Sequence, residues 1–336
     1  MPEKVSIVVT SVAEPNEALK ALAKGCIDNG FDFIVIGDEA SPAEFHIEGC
    51  EFYSLSRQRK SEFEFARQCP LRHYARKNIG YLEAIRNGSG IIIETDDDNL
   101  PKKSFWEKSQ RIADSAVIGH AGWVNVYKYF SDSNIWPRGF PLEHLSGEQL
   151  EFERLERAEV DCPIQQGLCD GNPDVDAVYR LTLPLPQSFR AEGQVALAEG
   201  AWCPFNSQNT RWWKDAFRLL YLPAYCSFRM TDIWRSFIAQ RIAWANGWSV
   251  LFHKPTVEQR RNEHNLLADF SDEVPGYLNN SKICEVLTGL EVETGVEKIS
   301  DNMRLCYNRL IEIGFIETRE LELLDVWLGD FEAACR

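Results

Sequence analysis

The sequence predicts an α/β fold in which a mixed β-sheet is flanked by helices and followed by a C-terminal helical region. Residues 5–36 have a strand–helix–strand pattern, which forms a parallel strand pair with a right-handed crossover. Residues 91–93, Ile-Ile-Ile, have the β-branched, apolar composition of an interior strand. Three segments after residue 275 have apolar residues at helical spacing. We therefore predict a sheet-containing domain at residues 1–274 and a helical region at residues 275–336.

The individual elements follow from periodicity and from turn residues. Residues 5–10 and 31–36 are predicted strands, and residues 16–29 between them form a helix that ends at Gly30. Residues 74–86 form a helix that Asn-Gly-Ser-Gly at 87–90 ends. The further predicted elements are strands at 49–55, 122–130 and 249–252, helices at 102–113, 278–290, 301–313 and 318–334, and turn-rich loops at 134–141 and 165–182.

Composition excludes several classes of protein. The 336 residues carry a net charge of −15, whereas a protein that grips nucleic-acid phosphates needs a basic face, so we expect no nucleic-acid partner. Ten cysteines without a CxxC pair exclude zinc-ribbon and thioredoxin spacing and fit a reducing compartment. No signal peptide is recognisable, and no apolar run approaches the roughly 20 residues that cross a bilayer. We expect a cytoplasmic protein, with peripheral docking at the inner face of a membrane left open.

Asp96, Asp97 and Asp98 follow closely on the predicted buried strand Ile-Ile-Ile at 91–93. Adjacent carboxylates repel one another unless a cation or a ring of donors neutralises them, and Mn²⁺ or Mg²⁺ prefers such oxygen ligands. A solvated acidic turn would have the same composition, but ligands of open α/β sheets lie at the carboxyl ends of strands. We therefore predict Asp98 as a metal ligand. His253 and His264 are the two downstream histidines that could complete the metal site, and His264 is the predicted metal or phosphate ligand.

Further candidates for binding a nucleotide sugar come from the ends of strands and from polar loops. The first two strands should end at the same edge as the acidic triplet, and basic side chains suit a diphosphate. The predicted nucleotide-sugar-binding residues are Thr10, Ser11, Asp38, Arg76, Lys77, Asp96, Asp97, Asn206, Arg229 and Arg261. Each could instead cap a helix or lie on a solvated face. Neither a GxGxxG nor a P-loop motif occurs.

Asp232 is the predicted catalytic base, because it lies beside Arg229 and Trp234 in a polar stretch, although it could equally begin a helix. Asp174 and Asp176, in a Gly- and Pro-rich loop, are the reserve candidates, with an Asp-stabilised turn as the structural alternative.

Six segments in this order resemble the STELLO family of probable glycosyltransferases: ARKNIGYLEAI, IIIETDDDN, WPRGFPL, QQGLCDGNPDVDAVYRLT, FNSQNT and LPAYCSFRMTDIWRSFIAQR. The resemblance implies a GT-A-like, Rossmann-type mixed sheet. It also implies a looser kinship with the reversibly glycosylated, UDP-arabinopyranose-mutase-type proteins, which carry a similar acidic triplet. Plant STELLO proteins are anchored in the Golgi membrane. We find no such anchor in this sequence, so we do not expect their location or their cellulose-synthase partners here.

Together these observations predict a metal-dependent glycosyltransferase that uses a UDP-sugar and a glycan or glycolipid acceptor. Asp96 would contact the ribose, Asp98 would bind Mn²⁺ or Mg²⁺ bridging the diphosphate, and Arg76, Lys77 and Arg261 would assist. Two alternatives remain: a nucleotide-sugar mutase that interconverts pyranose and furanose rings, and a non-catalytic nucleotide-sugar-binding scaffold. An Asp-x-Asp phosphatase is disfavoured, because Leu100 stands where that motif usually has Thr or Val.

Overall fold

A mixed β-sheet forms the centre of the structure, a computed structural model that describes residues 3–260 and 265–336. The strands are β1 Val5–Thr10, β2 Asp32–Ile36, β3 Glu51–Tyr53, β4 Ile91–Thr95, β5 Asn99–Pro101, β6 Ile112–Ile118, β7 Gly122–Trp123, β8 Arg157–Asp161, β9 Ile164–Gly171, β10 Gln194–Leu197, β11 Ala201–Trp202, β12 Asn209–Trp213 and β13 Val250–Gln259. The helices are α1 Glu17–Asn29, α2 Leu55–Gln58, α3 Glu64–Gln68, α4 Lys77–Arg86, α5 Ala177–Thr182, α6 Thr231–Ala245, α7 Leu266–Thr288, α8 Ile299–Glu312 and α9 Glu320–Ala334.

The order of strands in the main sheet is β3-β2-β1-β4-β12-β9-β13-β10-β6-β8, with β5 paired to β13. Strands β3, β2, β1 and β4 are parallel, whereas β12 runs antiparallel to both β4 and β9. Strands β7 and β11 form a separate parallel pair. The predicted α/β class, a mixed sheet flanked by helices with a helical C-terminal region, is confirmed.

Both faces of the parallel strands are buried, which explains their continuous apolar sequences. Successive side chains of a strand point to opposite faces. Accordingly Val8 of β1 packs in the core on the α4 side, with Ile79 and Leu82, whereas Ile7 packs on the α1 side, with Leu19. The two helices thus cover opposite faces and leave the carboxyl edge of β1, β2 and β4 open.

Three secondary-structure predictions were wrong. Residues 102–113 were predicted as a helix, but the only helical part of this range is the 3-10 turn Lys103–Trp106, and Ile112 begins β6. The pairing of β6 with β8 and β10 outweighs the local helical pattern. Only two residues of the predicted strand 122–130 are extended, and Val126–Tyr129 is a 3-10 helix. The predicted loop at 165–182 begins as the interior strand β9 and ends as α5. Its polar residues, such as Gln166, are buried and bonded to neighbouring backbone, so they look like loop residues in the sequence.

The three predicted C-terminal helices are present as α7, α8 and α9, and they share the main hydrophobic core with the sheet. Helix α7 begins at Leu266 and runs without a break through residue 275, where the boundary between the two regions was predicted. Trp327 of α9 packs edge-on against Phe65, with ring centroids 6.0 Å apart. The buried carboxylate of Glu320 accepts the backbone N–H groups of Ala224 and Tyr225 and so fixes the segment that leads into α6.

Candidate active site

A cleft of about 450 Å³ opens at the carboxyl ends of β1, β2 and β4. Ten of the predicted site residues line it: Thr10, Ser11, Asp38, Arg76, Asp96, Asp97, Asp98, Asp174, Arg229 and Asp232. Lys77, Asn206 and Asp176 do not line it, and Arg261 and His264 lie outside the described residues. The structure therefore brings together residues that are more than 220 positions apart in the chain.

The three carboxylates of the triplet have different partners. Asp96 Oδ1 accepts hydrogen bonds from the Tyr74 hydroxyl at 2.8 Å and from Lys77 Nζ at 3.3 Å. Asp97 accepts from the Ser11 hydroxyl. Asp98 Oδ1 accepts only from the Gln259 amide, at 3.0 Å, among the side chains that the structure describes. Asp96 is thus the one member of the triplet that a cation among these partners compensates, whereas Asp97 and Asp98 each have a neutral side-chain donor.

Electrostatics show the same asymmetry. Burial raises the pKa of Asp98 to about 7, and the negative charges of Asp96 and Asp97 contribute, whereas the Gln259 hydrogen bond opposes the rise. Burial also raises the pKa of Asp96, but Lys77 and the Tyr74 hydroxyl counteract it. A divalent cation beside Asp98 would favour the ionised form of its carboxyl group.

The donor set fits Mn²⁺ or Mg²⁺ held jointly by protein and ligand. Its oxygens are hard ligands of the kind both ions prefer. Within residues 3–260 and 265–336, no group of three Asp, Glu, His or Cys side chains is arranged to enclose a metal ion. Mg²⁺ is usually bound by one or two carboxylates together with substrate phosphates, and Asp98 with a neighbouring carboxylate could supply that share.

Lys77 lies below the cleft and links several of the segments that form its edge by hydrogen bonds. It is fully buried, and its ammonium group donates to Tyr74 Oη at 2.7 Å, the carbonyl oxygen of Thr95 at 2.7 Å and the carbonyl oxygen of Ser207 at 3.2 Å, in addition to Asp96. Its donors are therefore used by the protein. Lys77 was predicted to contact the ligand, but its position is that of a residue that orients Asp96.

Arg76 is also committed to the protein, although it lines the cleft. Its guanidinium group donates to Gln58 Oε1 and to the carbonyl oxygens of Cys69 and Pro70. No carboxylate of the described residues forms an ion pair with it, and burial lowers its pKa. Arg76 thus contributes a positive potential to this side of the cleft.

The opposite side of the cleft is built around Arg138, which the sequence analysis did not select. Its Nε and Nη2 atoms each donate to one oxygen of Asp174 at 2.8 Å, and its Nη2 donates to Asp232 Oδ2 at 2.9 Å. The Ser207 backbone N–H and hydroxyl also donate to Asp232, each at 3.1 Å. Gly139 has φ +87°, and a Cβ there would overlap Ile233, so only glycine lets this loop approach α6.

This arrangement opposes the predicted role of Asp232 as a catalytic base. Burial alone would raise the pKa of Asp232, but the Arg138 guanidinium and the Ser207 hydrogen bonds hold it well below its usual range. A carboxylate with so low a pKa takes up a proton poorly at neutral pH. Asp174 forms the second ion pair of Arg138, so the geometry makes both carboxylates counter-ions of Arg138.

The remaining candidates have structural partners. Asp176 is fully buried at the N-cap of α5, where its side chain accepts from the Tyr179 backbone N–H and from the Trp136 indole N–H at 2.7 Å. This is the helix-capping alternative, and it leaves Asp176 away from the cleft. Asn206 accepts the Gln208 N–H within its own loop. Arg229 lines the cleft but pairs with the buried Glu273 of α7 at 2.9 Å.

Several residues of the cleft were missed because their contacts cross large sequence separations. Arg138 carried one usable signal: it is the only charged residue in the Gly- and Pro-rich stretch 134–141. No sequence signal marked Tyr74, His73 or Gln259 as site residues, since residues of these types are common at helix starts and strand ends.

Comparison with known proteins identifies the family. A family model described as STELLO glycosyltransferases matches residues 229–335. The chain is 30% identical over 348 residues to "Probable glycosyltransferase STELLO1" of Arabidopsis thaliana. This alignment covers 97% of the present chain and 44% of STELLO1. The resemblance to the STELLO family is confirmed. "Probable glycosyltransferase STELLO2" of the same plant is 28% identical over 349 residues, with 96% of this chain and 44% of that protein covered.

This STELLO-type chain thus spans less than half the length of those two relatives. Among solved structures, a crystal structure of M. tuberculosis glucosyl-3-phosphoglycerate synthase matches with a TM-score of 0.42 and 11% identity, over 84% of this chain and 81% of that one. No helix in the described part of the chain is long and apolar enough to span a membrane.

Proposed function

We propose that this protein is a metal-dependent glycosyltransferase that moves a sugar from a nucleotide diphosphate, a UDP-sugar, to a hydroxyl group of a glycan or glycolipid. The observation that carries the proposal is the acidic triplet at the carboxyl end of β4, inside a cleft that the ends of β1 and β2 also line. The glycosyltransferase family of the chain supports the reaction class.

The residues of the triplet would divide the work of binding the donor. Asp98, with a neighbouring carboxylate, would hold Mn²⁺ or Mg²⁺, which when bound would stabilise the negative charge on the leaving diphosphate. Asp96 is oriented by Tyr74 and Lys77 to accept a hydrogen bond from a ribose hydroxyl. Arg76 supports the diphosphate through its charge rather than through its hydrogen bonds, which the protein uses.

On the acceptor side, we assign Asp232 and Asp174 a positioning role. Both carboxylates lie in the cleft and keep Arg138 fixed. Asp174 can still accept a hydrogen bond from an acceptor hydroxyl, whereas the oxygens of Asp232 are already used by Arg138 and Ser207. Proton removal from the acceptor then needs a group other than Asp232, whose pKa Arg138 holds well below its usual range.

Calorimetry with UDP provides the first test. UDP should bind the wild-type protein in the presence of Mn²⁺ and bind much more weakly in excess EDTA. Asp98→Asn should reproduce the loss seen in EDTA without lowering the melting temperature. Glu159→Gln, which removes an exposed carboxylate from β8 at the far edge of the sheet, is the charge-matched control and should bind like wild type. Equal UDP affinity with and without Mn²⁺ would remove the metal from the proposal.

Incubation with UDP-sugars separates the reaction classes. A glycosyltransferase should release UDP in the presence of a suitable hydroxyl acceptor and form a new glycosidic product. A ring-contracted nucleotide sugar, formed without acceptor, would instead identify a mutase. Tight binding without turnover across a broad panel of acceptors would favour the non-catalytic scaffold.

A further inference from the structure

His73 occupies a position in the cleft that the roles assigned above leave unexplained. It immediately precedes the 3-10 turn Tyr74–Arg76 that leads into α4, and it lines the cleft. Its backbone N–H donates to Asp38 Oδ2 at 3.0 Å, and its ring lies edge-on to Phe228, with centroids 5.5 Å apart. The backbone of His73 is therefore fixed to the end of β2, and its imidazole packs against the loop before α6.

The hydrogen bonds of the ring fix its tautomer. Nδ1 accepts the backbone N–H of Ala75 at 3.0 Å, so it cannot carry a proton. Burial lowers the pKa of His73 to about 4, against a weaker opposing effect of Asp38, so the ring is neutral at physiological pH. A neutral imidazole whose Nδ1 is an acceptor has its proton on Nε2.

The Nε2–H group has no acceptor among the protein atoms of residues 3–260 and 265–336. A rigid donor without a protein partner, on the wall of a cleft, is suited to hydrogen-bond a ligand. The ligand atom should be anionic, because Arg76, three residues along the chain, is a buried cation without a carboxylate in ion-pair contact in this part of the structure.

We propose that His73 is a ligand-binding residue whose Nε2–H donates to a phosphate oxygen of the nucleotide diphosphate. This inference rests on the proposed function, since it assigns a further contact within the same cleft. It gives the side chain two separable tasks: Nδ1 caps the turn before α4, and Nε2 contacts the ligand.

Two substitutions separate these tasks. In His73→Asn, the side-chain oxygen can take the place of Nδ1 as a cap, since asparagine is a favoured N-cap residue, but the side chain is too short to place a donor where Nε2 lies. In His73→Gln, the amide nitrogen can reach the Nε2 position, but the cap on Ala75 is lost. Stability is measured by urea denaturation, and affinity by calorimetry with UDP and with uridine, both with Mn²⁺.

For His73→Asn we expect wild-type stability and a Kd for UDP raised about tenfold or more, the usual effect of losing a hydrogen bond to a charged group. Its affinity for uridine should be unchanged. For His73→Gln we expect a lower urea midpoint, with UDP affinity close to that of wild type.

The outcomes that overturn the proposal differ from those that overturn the function. If wild-type protein binds UDP and His73→Asn binds it equally well, His73 does not contact the ligand, although the proposed function stands. If His73→Asn weakens uridine as much as UDP, the contact is not with a phosphate. If wild-type protein fails to bind UDP with Mn²⁺, both proposals are wrong.

Discussion

Replacing Arg138 by methionine would test whether the acceptor side of the cleft depends on one cation. The substitution removes the guanidinium group and keeps much of the side-chain volume. Asp174 and Asp232 would remain buried, with side chains 10% and 7% exposed, and would lose their counter-ion. Removing one partner from a buried ion pair costs about 3–5 kcal/mol, and here two carboxylates are left. We therefore expect Arg138→Met to lower the free energy of unfolding at pH 7 by about 5 kcal/mol.

The loss in free energy of unfolding caused by Arg138→Met should become smaller as the pH falls below 7. Without Arg138, burial raises the folded-state pKa of Asp232 above its unfolded value, so the folded variant takes up a proton as the pH falls from 7 towards 5. The variant then recovers stability on acidification. In the wild-type protein the pKa of Asp232 is lowered, so its contribution is present above about pH 4, the unfolded value, and is lost only at lower pH.

Urea denaturation, followed by the fluorescence of the ten tryptophans, measures these changes. A double-mutant cycle with Asp232→Asn isolates the pair. Asp232→Asn in the Arg138→Met background should restore part of the lost stability, which gives a coupling energy of about 2 kcal/mol. A coupling energy below about 0.5 kcal/mol, or a penalty that grows between pH 7 and pH 5, would refute the assignment of Arg138 as the counter-ion of both carboxylates.

Three further predictions concern single groups. Because the pKa of Asp98 is about 7, protons should compete with Mn²⁺ there, and Mn²⁺-dependent UDP affinity should fall as the pH drops from 8 to 6; a flat calorimetric profile would contradict this. Burial lowers the pKa of His253 to about 4, so its contribution to stability should decline as the pH falls from about 6.5 to 4, and His253→Gln should reduce the slope of the urea-midpoint profile in that range. Asp176→Ala should cost about 1–3 kcal/mol through the lost cap and the unpaired Trp136 indole, yet leave the KM for the UDP-sugar unchanged; a raised KM would return Asp176 to the site.

The parts of the fold that could be predicted are those set by local pattern. Helix α1 and the C-terminal helices have apolar residues at helical spacing, and β1, β2 and the strand before the acidic triplet are short, β-branched apolar runs. Strand β9 was missed because its buried amides satisfy neighbouring strands, and burial of that kind leaves no apolar pattern to recognise.

The candidate site likewise has residues that local sequence patterns indicate and residues that they do not. The ends of β1, β2 and β4 had to meet at one edge, so Ser11, Asp38 and Asp98 could be grouped from the sequence. Asp174 and Asp176 could not be told apart, although one faces the cleft and the other caps a helix, because both tasks select the same residue type. The pairing of Arg138 with Asp232 joins positions 94 residues apart, and no local pattern encodes it.

Ser207 links the two halves of the cleft. Its hydroxyl is 2.8 Å from that of Tyr74, which orients Asp96, and the same hydroxyl donates to Asp232. Each hydroxyl has one proton, so the Ser207 proton can go either to Tyr74 Oη or to Asp232, and a ligand that moved Tyr74 would change that choice. Any effect of a bound nucleotide on acceptor affinity must be matched by an equal effect of the acceptor on nucleotide affinity. In the proposed glycosyltransferase, rotation of this hydroxyl group would thus couple the nucleotide and acceptor sites without movement of a domain.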